Sequence, residues 1–480
     1  MTSSGAERPA DRRRSAWVLW LTSVASFTVA LDVLVVTTAL GTIRRDLHAS
    51  VGELEWTLTA YNVCLAGFMM TGAALGDRFG RRRLMIAGIA AFTAGSATCA
   101  LSPAIGWLIA GRIIQGIGAA LVAPLALPLV SDAYEPERRG RALGIVAGVT
   151  GLATLAGPLI GGGITQALSW HWIFWVNVPI GIALIILVRG RVAESYGPGR
   201  SIDLPGVCLA TGGLAALAWG LVRAASAGWA APDVAAGLAA GVLLAAAFVG
   251  WERRAAQPML NVRLFHSRAF SATNAATVCH AAIVLGAVFL MAQFLQSELG
   301  VGSFGAGVRL LPWTGSMIVV APVAGRLSDR LGTRPVIIGG LALAAAGYAW
   351  LAWMSRPGVS YPALVGALVV TGIGNSSVFP ALSSAVAASV HRDDIGPAAG
   401  INNAAAEIGG VLGIAVVALA FAAAGSFATA ASVAHGFRAA ATLCAGISVA
   451  GALAGAFAPR TAGETDLVPA PSPRHDEVRT

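Results

Sequence analysis

Three ionisable side chains stand inside long apolar stretches of this chain: Asp32, Arg112 and Glu407. A charged group at the centre of a lipid bilayer costs about 2.5–3.5 kcal/mol on insertion scales, and desolvation disfavours the charged form of a carboxyl group. An acid so placed can load and release a proton within the cellular pH range. Asp32 has two readings, a proton carrier or a structural carboxylate bonded to a neighbouring helix, and the scarcity of other acids at such depth favours the first. Glu407 carries Asn403 one turn earlier on the same helical face. It serves protonation or a cationic substrate group, or else it pairs locally with an asparagine amide. Arg112 lies four residues into an apolar run with Gln115 three positions on, so a fixed interhelical hydrogen bond is the plain alternative to a functional role.

Other polar residues fall within apolar runs: Tyr61, Asn62, Thr150, Thr154, Asn274, His280, Gln293 and Asn375. Together with Gln115 and Asn403 they are candidates to line a cavity; singly, each is as well explained by a bond between helices. Gly157 and Gly161, with Pro158 and Gly162, have a mechanical meaning. Glycines four apart let helix backbones approach closely, and proline removes a backbone hydrogen bond and bends the helix. His171 sits among tryptophans at an apolar boundary, which reads as an aromatic anchor at a membrane edge.

What is missing excludes chemistry. The 480 residues hold no lysine, so all 32 basic residues are arginine. A P-loop needs a lysine on its phosphates, and Schiff-base cofactors need one as well. The five cysteines, Cys64, Cys99, Cys208, Cys279 and Cys444, show neither metal-site spacing nor a disulfide framework. No cofactor and no metal is expected.

The elements that must hold these residues are membrane helices. The chain is 56% hydrophobic and 11% charged, against roughly 25% charged in soluble domains. Fourteen apolar runs begin near Trp17, Leu54, Leu84, Gly106, Ala142, Trp172, Leu204, Val234, Phe270, Gly307, Val336, Tyr361, Ala398 and Phe437. Each approaches the ~20 residues a helix needs to cross the hydrocarbon core, and none has the two-residue alternation of a barrel strand. The first run is too long for a signal-peptide core. With both termini on the cytoplasmic side, 25 of the 32 arginines fall in cytoplasmic segments, and the opposite face holds chiefly Arg44, Arg45 and Arg356. That asymmetry is the positive-inside pattern. It also explains the net charge of +9 without nucleic acid, because the charge is spread over short loops.

The chain repeats itself. AALGDRFGRRRL (Ala73 to Leu84) and GRLSDRLGTR (Gly325 to Arg334) place Asp77 and Asp329 252 residues apart, and the runs starting at Trp17 and Phe270 are 253 apart. Two six-helix halves follow, divided as a tail (1–14), a first half (15–190), two inserted helices with linkers (191–264), a second half (265–460) and a polar tail (461–480). In the loops, Gly80 and Gly332 permit tight turns, while Arg78, Arg81 and Arg330 hold the loops on the cytoplasmic face.

Several segments, in order, resemble the fourteen-helix drug–proton antiporter branch of the major facilitator superfamily over nearly the whole length. They are LDVLVVTTALGTIRRDL (Leu31 to Leu47), the Asp77 loop with Ala73 where the family has Gly, RIIQGIGAA (Arg112 to Ala120), GPLIGG (Gly157 to Gly162), WHWIFWVNVPIG (Trp170 to Gly181) and INNAAAEIGG (Ile401 to Gly410). Ala406 departs from the family's frequent arginine. The resemblance implies an all-α fold of two six-helix halves plus two inserted helices. It implies proton coupling through Asp32, Glu407 and Arg112, with Arg112 lowering a nearby acid's pKa when close and releasing it when distant. It further implies a latch between the halves at Asp77, Arg78, Gly80 and Arg81 and at Gly325, Asp329, Arg330 and Gly332, and a leak-sealing segment at Gly157 to Gly162.

The expected activity is proton-coupled export of hydrophobic small molecules across a bacterial cytoplasmic membrane, by a protein that works as a monomer, with protons, lipid and substrate as its partners. Three rivals are an importer or uniporter of the same fold, a membrane enzyme, and a non-transporting sensor. The enzyme would need a catalytic cluster that these short loops do not offer.

Overall fold

The computed structural model describes residues 9–197, 203–255, 262–391 and 394–459, and side chains for most of them. Every long apolar run becomes helix, because a backbone in hydrocarbon must satisfy its own hydrogen bonds. The first six spans are α1 (Pro9–Asp46), α2 (Val51–Phe79), α3 (Arg81–Ala100), α4 (Ile105–Ala133), α5 (Pro136–Ala167), and the short α6 (Trp172–Trp175) running into α7 (Asn177–Arg191). The inserted pair is α8 (Leu204–Ala227) and α9 (Pro232–Glu252). A short 3-10 turn (Val262–His266) leads into α10 (Arg268–Leu299). The next span is broken into α11 (Ser303–Arg309), α12 (Leu311–Thr314) and α13 (Ser316–Leu331). Then come α14 (Thr333–Met354), α15 (Tyr361–Ala388), α16 (Ile395–Ala424) and α17 (Ala430–Gly455).

Among the described residues there is no strand. Within the described residues thirteen spans are long and apolar enough to cross a membrane, and α5 makes a fourteenth when its two parts, bent by 41°, are taken as one. Pro158 lies just past that bend and has no N–H to give its own helix.

Contacts at the two ends of the bundle establish that the spans alternate in direction. At the arginine-rich end, Ser15 Oγ donates to the Ala133 carbonyl, Thr333 Oγ1 donates to the Pro459 carbonyl, and Arg191 lies over the Trp17 ring. At the far end, Gln296 Nε2 donates to the Thr38 carbonyl and the Phe304 N–H donates to Gln166 Oε1. There Arg44 also lies over Phe427.

The 252-residue repeat has a packing counterpart. Gly88 and Gly340, 252 apart, each face the next helix so closely that an added Cβ would lie 2.9 Å and 3.1 Å from the carbonyl oxygens of Gly118 and Gly374. The loop glycines Gly80 and Gly332 both hold positive φ, 106° and 88°, a region that L residues with a Cβ avoid. The inserted helices α8 and α9 pack on each other, and α8 fills the angle between α2 and α16.

Candidate functional site

Glycines decide how close the helices around Asp32 come. On α4, Gly116 is one turn beyond Arg112, and a Cβ there would lie 2.8 Å from Cys64 Cβ on α2. Gly111 and Gly118 make the same close approach to α3. On α7, Gly181 presses against Thr93 of α3 and carries Asn177, one turn earlier, into the same space. The RIIQGIGAA segment thus reads as one polar tooth, Arg112, on a helix planed down on two sides.

The result is a closed polar network among five helices. Asp32 on α1 is 4% exposed and Arg112 is fully buried. Arg112 Nη1 donates to Asp32 Oδ2 in an ion pair. Asp32 Oδ1 accepts from Gln115 Nε2 and from Asn177 Nδ2, both at 3.0 Å. Gln115 Oε1 accepts from Arg112 Nη1 at 3.0 Å, and Gln115 Nε2 also donates to Ser96 Oγ at 2.7 Å. Arg112 Nε donates to the Thr57 carbonyl at 2.8 Å, and its guanidinium lies 4.3 Å over the Tyr61 ring. Tyr61 in turn donates its hydroxyl to the Val29 carbonyl at 3.1 Å. Arg112 Nη2 is buried and finds no partner among the described residues.

Asp32 is therefore not the isolated acid expected from its position. Its carboxylate oxygens accept from three donors, one of them the Arg112 guanidinium. Arg112 and Asp32, which stand 80 residues apart in the chain, are in direct contact in this arrangement. Ser96, Thr57 and the role of Asn177 escaped sequence reasoning. Ser96 gives no signal in a helix rich in small residues. Asn177 stood at the end of an aromatic cluster and was the visible clue.

Glu407 is half-buried on α16 and makes no hydrogen bond among the described residues. It lies near enough to Tyr61 for their charges to interact, so it approaches the network from across the seam between α2 and α16. Asn403, one turn earlier, is exposed. The neighbouring Asn402 bonds instead to Asn274 and Thr277 of α10, at 3.2 and 2.8 Å. The remaining cavity candidates turn inward: Asn62 donates to Leu58, Asn274 to Phe270 and Gln293 to Phe289, all within their own helices. Asn375 donates to Tyr348 across a helix seam. Thr150 bonds to the Val146 carbonyl, and the His280 side chain is buried with no partner for its Nδ1. The side chain of Thr154 lies outside the described residues.

The two loop motifs differ in structure. Asp77 accepts from Arg81, whose other nitrogen reaches Asp132 at 2.7 Å. The segment after α7 wraps this turn: Glu194 accepts from the Arg82 N–H at 2.9 Å, and Gly197 donates to the Asp77 carbonyl at 3.1 Å. Arg78 lies over its neighbour Phe79. These contacts stay within the first six spans and the segment that follows them; among the described residues none of them crosses to the second half. Asp329 and Arg330 form no ion pair among the described residues, and a Cβ on Gly325 would meet open space.

The Gly157–Gly162 segment does bridge the halves. A Cβ on Gly157 would lie 2.5 Å from Leu34 Cβ, and one on Gly161 2.6 Å from the Val35 carbonyl, both on α1. A Cβ on Gly162 would lie 2.5 Å from the Ser303 carbonyl oxygen of α11, and one on Gly307 of α11 would press on the Pro158 carbonyl. The seam between the halves is closed at this end. The tryptophan cluster is a correction. Trp170 is buried and donates to Asp46 Oδ2 at 2.7 Å while stacking on His171 at 3.7 Å, so it is an internal peg between loops. Trp172, 48% exposed, is the outward-facing member. Burial pushes the His171 imidazole below its ordinary value, against the pull of Asp46.

Residues 22–291 and 273–477 match the Major Facilitator Superfamily. The chain belongs to that superfamily. It is 34% identical over 420 residues to the tetracenomycin C resistance and export protein of Streptomyces glaucescens, covering 86% of this chain and 78% of that protein. It is 34% identical over 406 residues to the cephamycin export protein CmcT of Amycolatopsis lactamdurans, covering 83% of each. The crystal structure of a D-xylose–proton symporter superposes with a TM-score of 0.68 at 14% identity, over 94% of this chain and 99% of that one, which speaks to the fold alone. As a Major Facilitator protein with fourteen apolar spans, the chain is a multi-pass membrane transporter.

Proposed function

We propose that this transporter exports hydrophobic small molecules in exchange for protons, by alternating access of its two six-helix halves. The observation that carries the reading is the Asp32–Arg112 pair, closed on itself and backed by Gln115 and Asn177. A proton and Arg112 compete for the same carboxylate oxygen. When the far end opens, a proton arriving at Asp32 Oδ2 displaces the guanidinium, and the freed arginine changes the charge facing Tyr61 and Glu407. When the arginine-rich end opens, the pair closes again and expels the proton. The names of the relatives support efflux as the direction.

One pH unit supplies about 1.4 kcal/mol per proton, and 100 mV supplies about 2.3 kcal/mol per charge. One proton per cycle then sustains a substrate gradient of roughly a few hundredfold, which suffices for useful export. The arginine asymmetry supports a cytoplasmic placement of both termini.

The test is a resistance screen in an efflux-deficient bacterial host, followed by proteoliposomes carrying a pH indicator. Wild type is expected to confer resistance to some hydrophobic compound and to move protons when that compound is added. Asp32→Asn is expected to do neither. Equal, pH-dependent export by wild type and Asp32→Asn would refute the coupling. Export that ignores the proton gradient would refute antiport.

A further inference from the structure

Glu55 is a second buried acid, in the second turn of α2, and the mechanism above does not use it. It is fully buried, and neither carboxylate oxygen finds a hydrogen-bond partner among the described residues. It lines a cavity of about 420 Å³ at the far end of the bundle, where α2 begins and α8 and α16 finish. That volume lies in the range of small-ligand sites. Three aromatic side chains share the wall: Trp56 of α2, Trp219 of α8 and Phe421 of α16.

The charges around it are accounted for. Glu53, two residues earlier on α2, closes a capping box with Ser50. Arg223 of α8 faces the cavity but is held at 2.8 Å by Asp233 of α9. The wall residues of α16, Phe421 and Ala422, and Gly425 and Ser426 just past its end carry no charge. Burial of an unpartnered carboxylate is costly, and glutamine would fit the same space without that cost. A cation bound in the cavity would offset it, and aromatic faces attract cations electrostatically.

We propose that the cavity between α2, α8 and α16 is a binding site for a lipophilic organic cation, its charge at Glu55 and its apolar body against Trp56, Trp219 and Phe421. The site gives the inserted helices a task, since Trp219 is the wall that α8 alone supplies. It also deepens the export reading by naming a ligand class, yet it does not depend on proton coupling at Asp32. Glu55 is two residues from Thr57 and so about 200° around α2 from it, on the side away from the Arg112 network.

Binding is measured with full-length protein in lipid nanodiscs, without any gradient, by the fluorescence anisotropy of ethidium and by displacement with tetraphenylphosphonium. Glu55→Gln is expected to fold as well as wild type, by its thermal melt, and to weaken ethidium binding at least tenfold. Wild-type affinity is expected to fall on acidification, with Glu55→Gln insensitive. Trp219→Ala is expected to weaken binding severalfold, which guards against a folding defect in the first variant. Light-activated ethidium azide should label segments 52–56, 219–223 and 421–426. Unchanged affinity in both variants, labelling elsewhere only, or no binding of either cation to wild type overturns the site. A protein that binds ethidium at Glu55 but exports nothing keeps the site and sinks the export reading.

Discussion

Replacing Asp32 by asparagine changes one atom's chemistry at the centre of the network, and its consequences can be worked out. The carboxylate accepts from Arg112, Gln115 and Asn177, and the paired side chains are 1% and 0% exposed. An amide keeps one acceptor and turns two N–H groups toward donors, while Arg112 keeps its charge with no counter-ion. Breaking a buried pair from one side costs about 3–5 kcal/mol, roughly a hundredfold to several-thousandfold in the folding equilibrium at 1.4 kcal/mol per tenfold. Arg112→Gln is expected to cost a similar amount by stranding the carboxylate. The double variant removes both charges together. It is expected to be more stable than the two single losses added, with an interaction energy of about 2 kcal/mol or more. Thermal unfolding in detergent gives the stabilities, and proton movement in proteoliposomes gives the coupling. If either single variant unfolds like wild type, the pair is not the closed contact described. If the double variant regains both stability and proton-coupled export, the pair is scaffolding and the coupling reasoning is wrong.

Alanine at Gly80 or Gly332 forces a Cβ into positive φ at 106° or 88°, and each change is expected to cost about 1–3 kcal/mol in the thermal melt. Gly80→Ala should be the worse, because its Cβ would also meet the Glu194 carboxyl group at 2.7 Å. Gly162→Leu must push α11 away from α5, since even a Cβ would lie 2.5 Å from the Ser303 carbonyl; faster hydrogen exchange in α5 and α11 is the expected readout, and unchanged exchange would deny the seal. Because burial lowers the His171 pKa, the unfolded chain binds more protons than the folded one just below the ordinary value of about 6.5. Stability should therefore fall as pH drops through that value, and His171→Asn should flatten the fall in acid unfolding curves.

The spans were legible because a bilayer imposes length and apolarity on every crossing segment, and these constraints are written residue by residue. The arginine loops and the 252-residue offset were legible for the same reason: each is a local pattern repeated. The partners of Asp32 were less so. Gln115 shares a face with Arg112 and could be paired with it on sight, but Asn177 reaches the carboxylate from 145 positions away along the chain, and Ser96 joins the network only through Gln115 and Asn177, 19 and 81 positions away, through helix packing that no local pattern encodes. Glu55 was missed because it sits at the boundary of an apolar run, where a charge is unremarkable; only the packing of α8 and α16 over it makes it buried. Trp170 was misread because tryptophan at a span edge usually faces lipid, and here Asp46 supplies an internal acceptor for its N–H.

A buried ion pair is weak evidence of a stabilising device. Desolvating the two charges costs several kcal/mol apiece, and apolar residues of the same volume commonly serve stability as well or better. The Asp32–Arg112 pair is backed by two amides and stacked on an aromatic ring, so its geometry is good, yet one buried guanidinium nitrogen has no partner among the described residues. A pair kept only for stability has no use for that orphan. A pair that opens in the proposed cycle has one, because the freed Arg112 could then turn toward an acceptor that the closed state does not offer. In the proposed cycle we assign that acceptor to Glu407, which lies near the same tyrosine from the opposite half and makes no hydrogen bond among the described residues.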